Sequence, residues 1–292
     1  MTAIYRRELR GMFGGMMGWI LVALWLLLGG WHTMRFNLLA YSSDLTGALE
    51  ELALLMIFLM PFPAAHCFTR DQANGTLLWL RSLPAGGVGV TVGKYLAALT
   101  VFAIPTALYG LFPLLLANYG TVSYGTAYTA LLGYFLLGTA WLAICCFAAS
   151  RFRRFWVAVL VTLLLGVAVY FLDLIQMVFS ALPLIEWLIV LAICATVGIL
   201  TGIRRKNPLS GVLTGGIPVV VLTVCYFALR RLYSQWIPAV LEFLSLFGRF
   251  GGFCSGYFDL SAFTLYVGVI FLSGFFAIRY PRSDFRKEGK KQ

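Results

Sequence analysis

The side chains able to do chemistry in this chain are few and poorly placed for it. There are 2 histidines and 11 Asp and Glu among 292 residues. His32 and His66 fall near opposite ends of the first two apolar runs, so a metal shared between them is not expected. The six cysteines, Cys67, Cys145, Cys146, Cys194, Cys225 and Cys254, show no metal-ligand spacing. Most lie inside apolar runs and read as small packing residues; Cys254 is the one expected to face the exterior. No two acids within one apolar run are spaced for a metal, and no G-x-S-x-G turn is present.

The run GGVGVTVGK (86–94) invites comparison with a phosphate-binding loop and fails it. Val88 stands where the first glycine of G-x-x-x-x-G-K is needed, and Tyr95 stands where Ser or Thr would hold Mg²⁺. Its glycines read as a flexible turn entering an apolar segment. Glu186 is the acid nearest to membrane depth, at an exterior boundary, and is a candidate for a substrate pathway.

The elements that would position these groups are apolar throughout. The chain is 61% hydrophobic and 11% charged, against about 25% charged in soluble domains. A bilayer span needs about 20 apolar residues. Eight such runs are legible, near Gly18–Phe36, Leu49–Phe68, Tyr95–Ala117, Thr126–Ala149, Phe155–Leu172, Leu184–Ile203, Gly211–Leu229 and Ala262–Ile278. If the fifth and sixth form a hairpin that does not cross, the number is six. The expected fold is all-α, a polytopic transmembrane helical bundle forming one domain over residues 1–292. No cleavable leader is expected, because the first basic cluster leads into a full-length run without an A-x-A-like site.

Eighteen of the 22 Lys and Arg fall on one side of these runs, leaving Arg35, Arg230, Arg231 and Arg249 on the other. The positive-inside rule then puts both termini in the cytoplasm of a multi-pass plasma-membrane protein. Loop topology therefore explains the net charge of +11 without nucleic acid as a partner. Residues 1–15 form a candidate interfacial helix, with Tyr5, Leu9 and Met12 at helical spacing among Arg6, Arg7 and Glu8. Residues 230–260 are an aromatic exterior segment, and 280–292 a cytoplasmic tail. Pro61, Pro63, Pro105 and Pro113 are expected to kink the second and third spans. Glycines four apart, at Gly14/Gly18, Gly198/Gly202, Gly211/Gly215 and Gly248/Gly252/Gly256, permit close helix approach.

The most informative stretch is the loop at 68–94. Arg70, Asp71, Gln72 and Asn74 open it; Gly75 and Thr76 then start the short apolar run Leu77-Leu78-Trp79-Leu80-Arg81, which Pro84 ends. Thr76 suits a helix N-cap. A short apolar helix outside the bilayer must be covered, either by its own bundle or by a partner protein.

This loop resembles the signature of ABC-2 type permeases, the membrane subunits of a class of ATP-driven exporters. Asp71, Gly75, Thr76, Leu80, Ser82, Leu83, Pro84, Gly93 and Lys94 follow the family's order and spacing. The opening IYRRELRGMF is similar to the family's N-terminal elbow helix, with Glu8 in the acidic position. Phe250, Phe253, Gly256, Asp259 and Leu260 resemble the stretch before the last span in the gliding-motility and nitrous-oxide-reductase-accessory branch. The three blocks cover about a quarter of the chain. The chain departs from the pattern in having Asp71 where Glu is usual, Gln72 where a basic residue is usual, and runs beyond the usual six spans.

The resemblance implies a permease that pairs with a second permease chain, identical or homologous, and with two copies of a separate ABC ATPase subunit. ATP and Mg²⁺ would sit on that partner and no cofactor on this chain. A short cytoplasmic coupling helix carrying Asp71, Gly75, Thr76, Leu77, Leu80, Arg81, Leu83, Pro84 and Lys94 would dock into the ATPase, with Arg6, Arg7 and Glu8 in the elbow helix. The apolar, aromatic spans suit a hydrophobic or amphipathic substrate. The alternatives are an ion-driven secondary transporter, which wants carboxylates at mid-membrane where almost none is placed, and a membrane-embedded lipid-modifying enzyme, which wants clustered acids, histidines or metal ligands near one face that the sequence does not show.

Overall fold

The fold is taken from a computed structural model, which describes residues 2–75, 86–118, 120–181 and 245–279. Packing divides the chain into two units, Met1–Ala168 with Arg249–Gln292, and Val169–Gly248. Of the second unit, the described residues are 169–181, which are helical, and 245–248. The expected runs Leu184–Ile203 and Gly211–Leu229, together with Glu186 and the tail, lie outside the described residues.

The described residues are helical, with no strand among them. In order they form α1 (Thr2–Gly14), α2 (Met17–Thr33, extended by a π-turn over Met34–Leu38), α3 (Thr46–Leu59), α4 (Pro61–Ala73), α5 (Gly86–Tyr109), α6 (Phe112–Leu116), α7 (Tyr124–Ala149), α8 (Phe155–Ala181), α9 (Phe250–Cys254) and α10 (Leu260–Arg279). Among the described residues, five stretches are long and apolar enough to cross a membrane: Met17–Leu38, Thr46–Ala73, Gly86–Leu116, Tyr124–Ala149 and Leu260–Arg279. The protein is a multi-pass membrane protein by this measure. Helix is the required form, because hydrocarbon offers no partner to an open backbone amide. Hydroxyls obey the same constraint. Thr33, Thr69, Thr106 and Thr162 each donate to the carbonyl four residues earlier, at 2.7–2.9 Å.

The prolines act unequally. Met60 and Pro61 divide the second span into α3 and α4, and Gly110 with Leu111 divides the third into α5 and α6, where Pro113 lies in the first turn. Pro105 sits inside an unbroken α5.

The second and fourth spans are the most enclosed, 72% and 67% buried against 22% for the last. Their core is aromatic. Trp25 Nε1 donates to Tyr134 Oη at 2.7 Å, and Phe102 lies within 5.2–5.8 Å of the rings of Trp25, Tyr134 and Phe135. Tyr109 Oη donates to Gly29 O at 2.8 Å and meets the Thr33 hydroxyl. These rings satisfy their polar tips while burying large faces. Outward-facing Trp19, Ile20, Leu27 and Trp31 leave an apolar exterior on α2, as lipid contact requires.

Among the described glycines the tightest approaches between helices fall at Gly29, Gly133, Gly138 and Gly166. Of the four-residue steps, a Cβ on Gly256 would stand 3.2 Å from Thr126, and Gly198/Gly202 and Gly211/Gly215 lie outside the described residues. A Cβ on Gly138 would stand 2.3 Å from Phe102 Cζ, and one on Gly133 would stand 2.5 Å from Phe253. Phe253 belongs to α9, which packs against α7 and α3.

Candidate functional site

The groups that come together are at the Arg- and Lys-rich end of the bundle, where α1, α4 and α5 meet. Asp71 occupies the last turn of α4, and Lys94 follows Gly93 in α5. Lys94 Nζ lies 2.5 Å from Asp71 Oδ2 and donates to Cys67 O at 2.6 Å. The same ammonium stands 5.5 Å from the centre of the Phe68 ring. Lys94 is 1% exposed and Asp71 6%; burial at that level is tolerated because each charge faces the other.

Arg7 closes the cluster from α1. Its Nη2 donates to Asp71 Oδ2 at 2.6 Å and also to the Glu8 carboxylate. Burial opposes the charge on Arg7, but Glu8 and then Asp71 outweigh it and hold the guanidinium above its ordinary pKa. Glu8 is itself buried, and Ile4, Glu8 and Met12 form the inward stripe of α1. The expected stripe of Tyr5, Leu9 and Met12 is thus turned by one position, sharing Met12. Tyr5 instead meets α5 at its edge, with its hydroxyl 3.1 Å from Thr100 Oγ1. Arg6 and Arg10 face outward.

Residues 76–85 leave and rejoin this cluster. Gly75 ends α4 at φ +71° and Gly86 opens α5 at φ +60°, left-handed conformations that glycine adopts without Cβ strain. Thr76, Leu77, Leu80, Arg81, Leu83 and Pro84 lie between them, outside the described residues. Asp71 and Lys94 were expected beside these as coupling-loop residues. The structure turns both inward, where they join the last turn of α4 to the third turn of α5.

Two neighbours complete the junction. Gln72 Nε2 donates to Ser150 O at 2.6 Å, satisfying a carbonyl at the C-terminus of α7. Arg151 stacks 5.2 Å over the Phe147 ring. The Gln72 contact leaves no local trace in the sequence, because it depends on which helix ends share a level, whereas Arg151 and Phe147 stand four apart, a spacing that places side chains together at one helix end.

At the opposite end, His32 Nδ1 lies 3.0 Å and Arg35 Nη1 3.7 Å from Glu51 Oε2. Asp44 and Asp259 act as helix caps there. Asp44 accepts Thr46 N at 3.1 Å, and Asp259 accepts Ser261 N at 2.8 Å and Ala262 N at 3.3 Å. The Phe250–Leu260 block therefore has a structural account: Phe250 and Phe253 are buried, Gly256 turns at φ +82°, and Asp259 starts α10. Among the described residues, no three His, Cys, Asp or Glu side chains are grouped to hold a metal.

Comparison of the chain with protein-family models, with curated proteins and with solved structures gives no match. The carboxylates of the site are spoken for by cations, an arrangement that fixes helices to one another.

Proposed function

We propose that this chain is the membrane-spanning permease subunit of an ATP-driven exporter of the ABC-2 type. The observation that carries the reading is the Asp71–Lys94 ion pair at the root of residues 76–85. It binds the last turn of α4 to the third turn of α5, and Arg7 adds α1 to the same carboxylate. A force applied to the loop would reach three helices at once. That is the mechanical property a coupling loop needs, and it agrees with the sequence resemblance at Asp71, Gly75, Thr76, Leu80, Ser82, Leu83, Pro84, Gly93 and Lys94.

In this reading α1 is the elbow helix, lying on the cytoplasmic leaflet of the plasma membrane with Arg6 and Arg10 outward. Leu77, Leu80, Arg81, Leu83 and Pro84 form the face that docks into an ABC ATPase, two copies of which serve a pair of permease chains. ATP and Mg²⁺ belong to that partner. Nucleotide shifts the permease between states only through a docking contact that differs between them. The cargo class is hydrophobic or amphipathic.

The test is capture from native membranes with a tagged chain, beside a Leu80→Asp variant. The native chain brings down an ATPase polypeptide and the variant does not. Capture by both would move the docking surface away from Leu80. A stably inserted native chain that recovers no ATPase in mild detergent would overturn the reading.

A further inference from the structure

Between α1 and α4 lies a cavity of ≈ 290 Å³ lined by Arg7, Glu8, Gly11, Arg70, Asp71 and Asn74. It is near the lower bound of small-ligand clefts, which run from about 300 Å³ upward. Its charges are unevenly satisfied. Asp71 is bound by Lys94 and Arg7, and Glu8 by Arg7. Arg70 has no carboxylate partner among the described residues.

The two guanidinium groups are also placed to receive something. Both ion pairs of Arg7 use Nη2, leaving the donors on Nη1 and Nε. Arg70 lies across the bare backbone of Gly11, with Nη1 2.9 Å from where a Cβ would stand. Any side chain at residue 11 would displace it. Asn74 contributes an amide at the rim. Guanidinium forks bind tetrahedral oxyanions through paired, charge-assisted hydrogen bonds. This pocket also sits at an end of helices that cross a bilayer, the level of the lipid phosphates.

We propose that this cavity binds a phosphate group, either the phosphodiester of a membrane lipid or free inorganic phosphate, through Arg70, Arg7 and Asn74. The proposal needs the bundle to cross a bilayer and is independent of the exporter reading.

The test uses the full chain in a phosphate-free sugar detergent, with thermal melting followed during titration. The probes are short-chain phosphatidylglycerol, the diacylglycerol with the same acyl chains, and inorganic phosphate at matched ionic strength. The native chain is stabilised by phosphatidylglycerol and not by the diacylglycerol. Arg70→Gln weakens that binding about tenfold or more, Asn74→Ala weakens it less, and Arg10→Gln, the same loss of charge outside the cavity, leaves it unchanged. Equal binding of inorganic phosphate identifies the ligand as the free anion; weak binding of it assigns the lipid. The proposal is overturned if no phosphate-bearing probe raises the melting temperature. It is equally overturned if the diacylglycerol works as well, or if Arg10→Gln loses as much as Arg70→Gln.

Discussion

Lys94 Nζ stands 2.5 Å from Asp71 Oδ2, with the two side chains 1% and 9% exposed. Removing one member of such a pair strands the other, at a cost of about 3–5 kcal/mol. The two deletions are not equivalent here. Asp71→Asn leaves Lys94 with a backbone carbonyl and an aromatic face, whereas Lys94→Met leaves Asp71 still bonded to Arg7. Unfolding in detergent will show Asp71→Asn as the more damaging change, with the double variant Asp71→Leu/Lys94→Met recovering most of the loss. Equal, small effects of both single changes would remove the clamp from the account of this end of the bundle.

Gly138 makes room for the Phe102 ring, which Trp25, Tyr134 and Phe135 surround and prevent from moving aside. Gly138→Val is expected to destabilise by about 1–3 kcal/mol through overpacking. Phe102→Leu in the same chain should return part of that loss. Thermal melting of the two single variants and the double variant reads the coupling directly; simple additivity would show that the two residues do not compete for space.

Cys254 offers a test by pH. Burial first, then Glu50 and Asp44, pushes its thiol pKa up to about 12. A raised thiol pKa keeps the unreactive protonated form dominant below that pH, so alkylation at pH 8 should be slower than for an ordinary cysteine by about a hundredfold or more. The rate should still be climbing at pH 10, and Glu50→Gln should raise it at every pH below that. A rate that levels off near pH 9 would contradict the assignment.

Asp259 caps α10 through two backbone amides. Asp259→Ala should lower stability by about 1 kcal/mol while Asp259→Asn, which keeps an acceptor oxygen, should lose far less. Hydrogen exchange at Ser261 and Ala262 is the local readout: both amides exchange faster in the alanine variant alone.

Much of this architecture is legible in the sequence, and particular residues show why some of it is not. The spans at Met17–Leu38 and Tyr124–Ala149 announce themselves because twenty apolar residues in a row have one physical solution. Asp71 and Lys94 are visible as polar residues flanking a loop, yet their mutual burial depends on how α1 docks, and no local pattern records that. Gln72 reads as a departure from a family pattern, and its use becomes apparent only when Ser150 is found beside it. Among the described glycines, spacing alone does not mark the tightest approaches. Gly133 and Gly138 matter because of the rings opposite them, Phe253 and Phe102, and a ring on another helix leaves no periodic trace. Pro61 falls where α3 gives way to α4, whereas Pro105 lies within the helical run of α5.

One consequence of the cluster concerns time. Translation produces Arg7 first, Asp71 next and Lys94 last, so the charges emerge as plus, minus, plus. When the carboxylate leaves the ribosome, a guanidinium already exists to meet it. The ammonium arrives with the following apolar segment and finds its counterion in place. The order of synthesis thus matches the order in which the two ion pairs can form.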